Sequence, residues 1–228
     1  MRNYPIPPVQ KMINEAFSWT EIPELFLRGP SLLGKPRGDG QRIIVVPGFG
    51  TGDISTLPLR QYLASLGYRV SGWNMGVNSG DVLDAIARLN QRVQTEHAAE
   101  DEQIILIGWS LGGYLAREVA RELPHAVAQV ITMGTPVVGG PKYTRVAEYF
   151  RSSGMDLNEI EREVDARTVV PLKVPVTAIY SKRDGVVAWE ACIDETSDTV
   201  EHVEVMSSHI GMGISSTVYN IISTRLAA

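Results

Sequence analysis

The pentapeptide Gly108-Trp109-Ser110-Leu111-Gly112 directly follows the apolar run Ile104-Ile105-Leu106-Ile107. A serine hydroxyl becomes a useful nucleophile only when it is exposed, held in a tight turn and paired with a base. A strand that turns sharply into a helix supplies the first two conditions. Small residues two positions either side let neighbouring backbone approach without a side-chain clash. Here a short apolar strand precedes Ser110, and residues 112–120 read as a helix with glycines at its start. An ordinary glycine-rich turn with a surface serine is the weaker reading of that strand–turn–helix setting.

Activation of Ser110 requires a histidine within hydrogen-bond reach and a group to orient it. In open parallel sheets such groups gather beyond the carboxyl ends of strands. Four histidines compete. His97 closes an amphipathic helix amid Glu and Ala and is expected at the surface. His125 follows Leu123-Pro124 just before a strand, at the edge opposite Ser110. His202 lies within a strand, pointing to one face. His209 alone falls just after a strand, in the polar loop Ser207-Ser208-His209-Ile210-Gly211, and is the candidate base.

The same edge argument favours Asp184, in Ser181-Lys182-Arg183-Asp184-Gly185, as the acid, although Asp-Gly is also a turn signal in its own right. Asp194 and Glu190 remain alternatives. Asp194 and Asp198 are nearer to His209 in sequence, but they fall in a helix and in a loop entering a strand. A developing oxyanion needs two donors. The backbone N–H of Leu111, next to the candidate nucleophile, is one. Phe49, in Pro47-Gly48-Phe49-Gly50-Thr51-Gly52, is the other, with Gly48 allowing the backbone to turn inward. That loop also resembles the start of a dinucleotide site, but Asp53 stands where a small residue is needed. An acidic residue about twenty positions on is missing as well. Neither a phosphate-binding loop nor metal-ligand spacing occurs, so no cofactor or metal is expected.

The elements that must position these groups alternate along the chain. Strands are expected over 43–46, 68–73, 104–107, 127–133, 174–180 and 200–205, and helices over 57–66, 81–97, 110–123 and 216–226. Strand–helix units with apolar strands imply an α/β architecture, a mostly parallel sheet covered by helices on both faces. Residues 1–40 read as an N-terminal arm with one amphipathic stretch at 9–17. Residues 136–171, rich in Gly, Pro and charge with one weak helical segment, read as a functional cap or flap or as a disordered insert.

A chain of 228 residues is expected to form one domain, 1–228, and its 44% hydrophobic content is enough for a substantial core. A net charge of −5 argues against nucleic acid and against a polybasic membrane patch. The start, Met1-Arg2-Asn3-Tyr4-Pro5-Ile6-Pro7-Pro8, lacks the apolar core of a signal peptide, and no apolar run approaches membrane-spanning length. A single cysteine, Cys192, excludes an internal disulfide and fits a reducing compartment, so a soluble cytoplasmic protein is expected. Within Trp189-Glu190-Ala191-Cys192-Ile193, most simply a partly buried helix, it reads as a small hydrophobe rather than a reactive thiol.

From about Arg42 to Leu226 the chain resembles bacterial serine hydrolases of the α/β-hydrolase superfamily, near the lipase and esterase branch. It is particularly similar to a group of esterases with Pro-Gly-Phe in the oxyanion loop. The resemblance rests on Gly67-Tyr68-Arg69-Val70 with Gly72-Trp73, on Gly108 to Gly113, and on Gly134-Thr135-Pro136. It also rests on Ile179-Tyr180-Ser181 with Asp184-Gly185-Val186-Val187, and on Ser208-His209-Ile210-Gly211. It implies an α/β-hydrolase fold with a short cap insertion, a Ser110/Asp184/His209 triad and an oxyanion hole from Phe49 and Leu111. Ser–Asp–His is also that superfamily's chain order. Two departures stand out: Pro47-Gly48 where many lipases have His-Gly, and Val137 where many have His after Gly-Thr-Pro. They leave the implied triad intact and weaken the case for triglyceride lipase activity.

The expected function is carboxylic-ester hydrolysis through an acyl-enzyme, on a small-molecule ester, with no cofactor. Trp109, Phe49, Met75, Val137 and Val138 are candidates for contacting an apolar acyl group. Acyl transfer or amide hydrolysis by the same triad, and a non-catalytic binding protein on this scaffold, are the competing readings. Dehalogenation is disfavoured because a serine stands where that chemistry needs a carboxylate.

Overall fold

The segments 43–46 and 104–107 are apolar at every position because both of their faces are covered. In the computed structural model, which describes residues 2–227, Ile43 and Val45 point to one side of the sheet and Ile44 and Val46 to the other. Ile105 and Ile107 oppose Ile104 and Leu106 in the same way, as a side-chain period of two requires. The strands are β1 (Arg42–Val46), β2 (Arg69–Gly72), β3 (Ile104–Trp109), β4 (Val127–Met133), β5 (Val176–Ser181) and β6 (Val200–Val205). They form one sheet in the order β2-β1-β3-β4-β5-β6, with every pairing parallel. The chain reverses direction across the sheet between β1 and β3, the place where open α/β sheets leave a crevice beyond their strand ends.

Among the described residues eight helices flank the strands: α1 (Val9–Ala16), α2 (Glu21–Leu33), α3 (Leu57–Ser65), α4 (Val82–Glu100), α5 (Leu111–Glu122), α6 (Ala147–Ser152), α7 (Leu157–Thr168) and α8 (Ser216–Leu226). Helix α4 contributes Ala85, Ile86, Leu89 and Val93 to one face of the sheet, joined by Leu115 and Val119 of α5. Leu59 and Leu63 of α3, with Val218, Tyr219 and Ile222 of α8, cover the other. Among the described residues no helix is long and apolar enough to cross a membrane.

Several segments differ from expectation. The first forty residues are mainly helical. Pro23 and the Gly-Pro pair at 29–30 discourage a helix locally, yet α2 forms because it packs along α8 and places Leu25 and Leu32 in the core. Residues 136–171 carry α6 and α7 rather than one weak helix. Leu157, Ile160 and Val164 share one face of α7, and the Asp156 carboxylate accepts from Asn158 N–H at its start. The segment around Cys192 is a single 3-10 turn, Trp189–Cys192, not a longer helix.

Helix α5 runs back across β1 and β3 at a distance that only glycine permits. A Cβ on Gly112 would collide with the carbonyl oxygens of Val46 and Pro47, and one on Gly108 with the backbone of Gly112 and Gly113. Gly112→Ala is therefore expected to destabilise the fold by about 1–3 kcal/mol, as forced overpacking does, which denaturant unfolding of the variant would measure.

Candidate active site

Strand β3 delivers Ser110 to the carboxyl-terminal edge of the sheet and α5 begins at the next residue. Between them the backbone of Ser110 takes φ 54° and ψ −124°, a conformation that L-residues rarely adopt and that costs on the order of 1–3 kcal/mol. Ser110 N–H donates to the Met133 carbonyl at 2.8 Å, and its own carbonyl accepts from Thr135 Oγ1 at 3.0 Å. Strain at this residue is thus held by β4 and by the turn that follows it.

The register of β1 on β3 sets Val46 beside Gly108, bringing the loop after β1 against the turn. A Cβ on Gly48 would stand 3.2 Å from Ser110 Cβ. Buried Asn78 clamps this loop: its Nδ2 donates to Pro47 O at 2.9 Å, its N–H to Thr51 O at 2.8 Å, and its carbonyl accepts from Gly50 N–H at 2.8 Å. Asp53, the residue that spoils the dinucleotide pattern, accepts from Trp73 N–H and Asn74 N–H and ties the loop to the end of β2. Among the described residues neither Phe49 N–H nor Leu111 N–H donates to a protein acceptor, and both residues line the same cavity as Ser110.

Strands β5 and β6 end level with each other, with Ser181 paired to Val205, and release the loops that hold Asp184 and His209. Asp184 is buried, and its two oxygens are divided. Oδ1 accepts from Val186 N–H and Val187 N–H at 2.8 and 2.7 Å, and Oδ2 lies 2.6 Å from His209 Nδ1. With Nδ1 engaged, Nε2 is the imidazole nitrogen left for the cavity, which His209 lines together with Ser110. Burial pulls the His209 pKa down. The adjoining Asp184 carboxylate, by charge and hydrogen bond, and the charge of Glu15 outweigh it, so the imidazole lies above its ordinary value of 6.5. Gly134 makes room for this pair: a Cβ there would stand 2.8 Å from His209 Nδ1 and 3.1 Å from Asp184 Oδ2.

The other candidates are engaged elsewhere. Asp194 forms a buried pair with Arg117 and accepts from Thr196, while its N–H donates to His202 Nε2. His97 is half-buried rather than exposed, with Nδ1 3.1 Å from the Glu102 carbonyl, and it meets His125 edge to face. Burial, reinforced by the charges of Asp184 and Glu190, pushes the Cys192 thiol well up. Among the described residues no three His, Cys, Asp or Glu side chains gather as a metal site would need.

The cavity above Ser110 has a volume of about 680 Å³. Trp109 and Phe49 line it, and Trp109 Nε1 also donates to the His209 carbonyl at 3.2 Å. Met75, Val137 and Val138 do not line it, which corrects the expectation for these three. Met75 packs against the core, and the N–H groups of Val137 and Val138 both bond to Ala191 O, turning that segment toward the 3-10 turn. In their place the walls include Tyr114 of α5, Val146, Phe150, Ile160 and Val164 from the 136–171 segment, and Val187 beyond Asp184. The apolar spacing of Leu157, Ile160 and Val164 was the available signal for α7. Nothing in the sequence marks Glu15, whose carboxylate accepts the N–H of His209.

Residues 30–169, more than half of the chain, match the family described as alpha/beta hydrolase fold, and the chain belongs to that family. A pimeloyl-[acyl-carrier protein] methyl ester esterase of Aliivibrio salmonicida is 29% identical over 110 residues, 46% of this chain and 40% of that relative's length. The mature form of Bacillus licheniformis lipase BlEst2 superposes with a TM-score of 0.62 at 14% identity, covering 85% of this chain and 94% of the lipase. Mouse alpha/beta hydrolase domain-containing protein 10 does so with a TM-score of 0.57 at 17% identity, over 85% and 90%. At such identities the two structures share the fold with this chain.

If Asp184 holds the His209 pKa up against burial, its neutral amide must release it. His209 is expected to titrate above 6.5 in the native protein and below it in Asp184→Asn, which NMR of histidine-labelled protein would read.

Proposed function

We propose that this protein is a serine hydrolase of carboxylic esters acting through an acyl-enzyme. The observation that carries the reading is the buried Asp184–His209 pair, 2.6 Å apart, whose histidine lines the cavity that the strained Ser110 also lines. Phe49 and Leu111, whose N–H groups meet no protein acceptor among the described residues, line the same cavity. The relative named as a methyl ester esterase and the neighbour named as a lipase support the ester class.

In this reading Ser110 Oγ attacks the ester carbonyl carbon while His209 Nε2 takes its proton. Asp184 holds the Nδ1–H tautomer and stabilises the imidazolium. The oxyanion is received by Phe49 and Leu111 N–H, each worth about 3–4 kcal/mol in the transition state. Collapse breaks the C–O bond, and the alcohol leaves with the proton from Nε2. Water, deprotonated by the same nitrogen, then attacks the acyl-enzyme, releasing the acid and restoring Ser110. The mostly apolar walls suit an apolar acyl group, with α6 and α7 as its cover and residues 136–171 as the cap.

Ser110→Ala should lose turnover of p-nitrophenyl esters and labelling by a fluorophosphonate while keeping its unfolding transition; residual turnover would require another nucleophile. The base must be neutral to accept a proton, and its pKa lies above the ordinary 6.5, so kcat/KM should fall as pH drops through that raised pKa. A flat profile there would exclude His209 as the base. Across esters of rising acyl length, each methylene that enters the cavity should raise kcat/KM about fourfold, corresponding to about 0.8 kcal/mol per buried CH₂. An unchanging series would exclude an apolar acyl site.

A further inference from the structure

Glu15, on α1, is 4% exposed, and no basic side chain is bonded to it among the described residues. A buried carboxylate is costly unless several donors meet it, and here the donors are main-chain. Oε1 accepts from Gly185 N–H and His209 N–H, both at 2.8 Å, and Oε2 from Ile210 N–H at 2.8 Å. One oxygen therefore joins the residue after Asp184 to His209 itself, bridging loops that leave different strands. The approach is specific to glycine at position 185, where a Cβ would stand 2.6 Å from Lys11 O and 3.0 Å from Glu15 Oε1. Lys11 Nζ adds a bond to Lys182 O at 2.6 Å, fastening the same turn of α1 to the Asp184 loop. Glu15 does not line the cavity.

We propose that Glu15 is a positioning residue of the Ser110–His209–Asp184 machinery, its carboxylate fixing the acid-bearing and base-bearing loops in one relative geometry. This rests on the esterase reading. A charge-assisted acceptor shared by both loops does what the Asp184–His209 bond cannot do alone: it fixes the main chain on which each partner stands. Its negative charge, held against the His209 main chain, also favours the imidazolium that forms when Ser110 gives up its proton. The charged groups facing His209 are Asp184, in the loop after β5, and Glu15. Glu21, on α2, reaches the same loop through Ser207 Oγ, 3.0 Å away.

The experiment compares full-length wild type, Glu15→Gln and Glu15→Asp for kcat, KM and the pH dependence of kcat/KM on p-nitrophenyl butyrate, with thermal unfolding alongside. The amide removes the charge and turns an NH₂ toward a donor, so kcat should fall about tenfold or more with KM changed less than about twofold, a misplaced base being felt mainly in the chemical step. The acidic limb should move to lower pH, because an anion that raised the base's pKa is gone. Glu15→Asp keeps the anion but is one methylene too short to reach both loops; kcat should fall with the limb in place. Wild-type kcat and limb in a folded Glu15→Gln, even at a lower Tm, would make Glu15 a stability anchor and overturn the proposal. If the amide variant fails to fold, wild-type kcat in Glu15→Asp overturns it, as does failure of both to fold. A wild type that is inert on esters and unlabelled by fluorophosphonate instead overturns the esterase reading itself.

Discussion

The close approach of α5 to the ends of β1 and β3 is the constraint on which the rest of the site depends. Helix and strands meet where Gly108 and Gly112 leave no Cβ between backbones, and Gly113 leaves none toward Thr135. The chain can make so tight a reversal only by forcing Ser110 to φ 54°, and that strain persists because the residue's N–H and carbonyl are both bonded to β4 and its following turn. The hydroxyl is thereby displayed at the start of a helix, with the N–H of Leu111, the first of α5, unspent among the described residues. Loosen this contact and neither the nucleophile's exposure nor the proposed oxyanion site has a physical basis.

Around that turn the polar groups are arranged so that each has one task. Asp184 spends one oxygen on two main-chain N–H groups and keeps the other for His209. Burial and charge pull the imidazole in opposite directions, and the carboxylate side prevails. Asn78 and Asp53 hold the loop after β1, so Phe49, one of the two candidate oxyanion donors, sits on a framework that does not need substrate to form it.

Two regions outside the strand–helix alternation complete the surroundings. The 136–171 segment supplies Phe150, Ile160 and Val164 to the cavity walls. The N-terminal helices lie behind the loops of β5 and β6, with Glu15 and Glu21 accepting from them. In the proposed mechanism the first of these regions selects the acyl group and the second steadies the base.

Much of this was legible in the residues alone. The apolar runs dictated a sheet buried on both sides, and the position of each polar residue relative to a strand end singled out Ser110, Asp184 and His209 from their competitors. Local chemistry also located the glycine-rich turns, since only a missing Cβ suits them. Other features depended on packing between segments distant in the chain. Helix α2 forms against its own propensity because α8 covers it, and Val137 and Val138 turn away from the cavity because Ala191 takes their N–H groups. Asp194 is removed from the contest by Arg117, 77 positions away, and Glu15 by itself is an unremarkable acidic residue on a short helix. Periodicity and spacing report which side of an element is buried. What that side meets is decided only when the whole chain has closed around it.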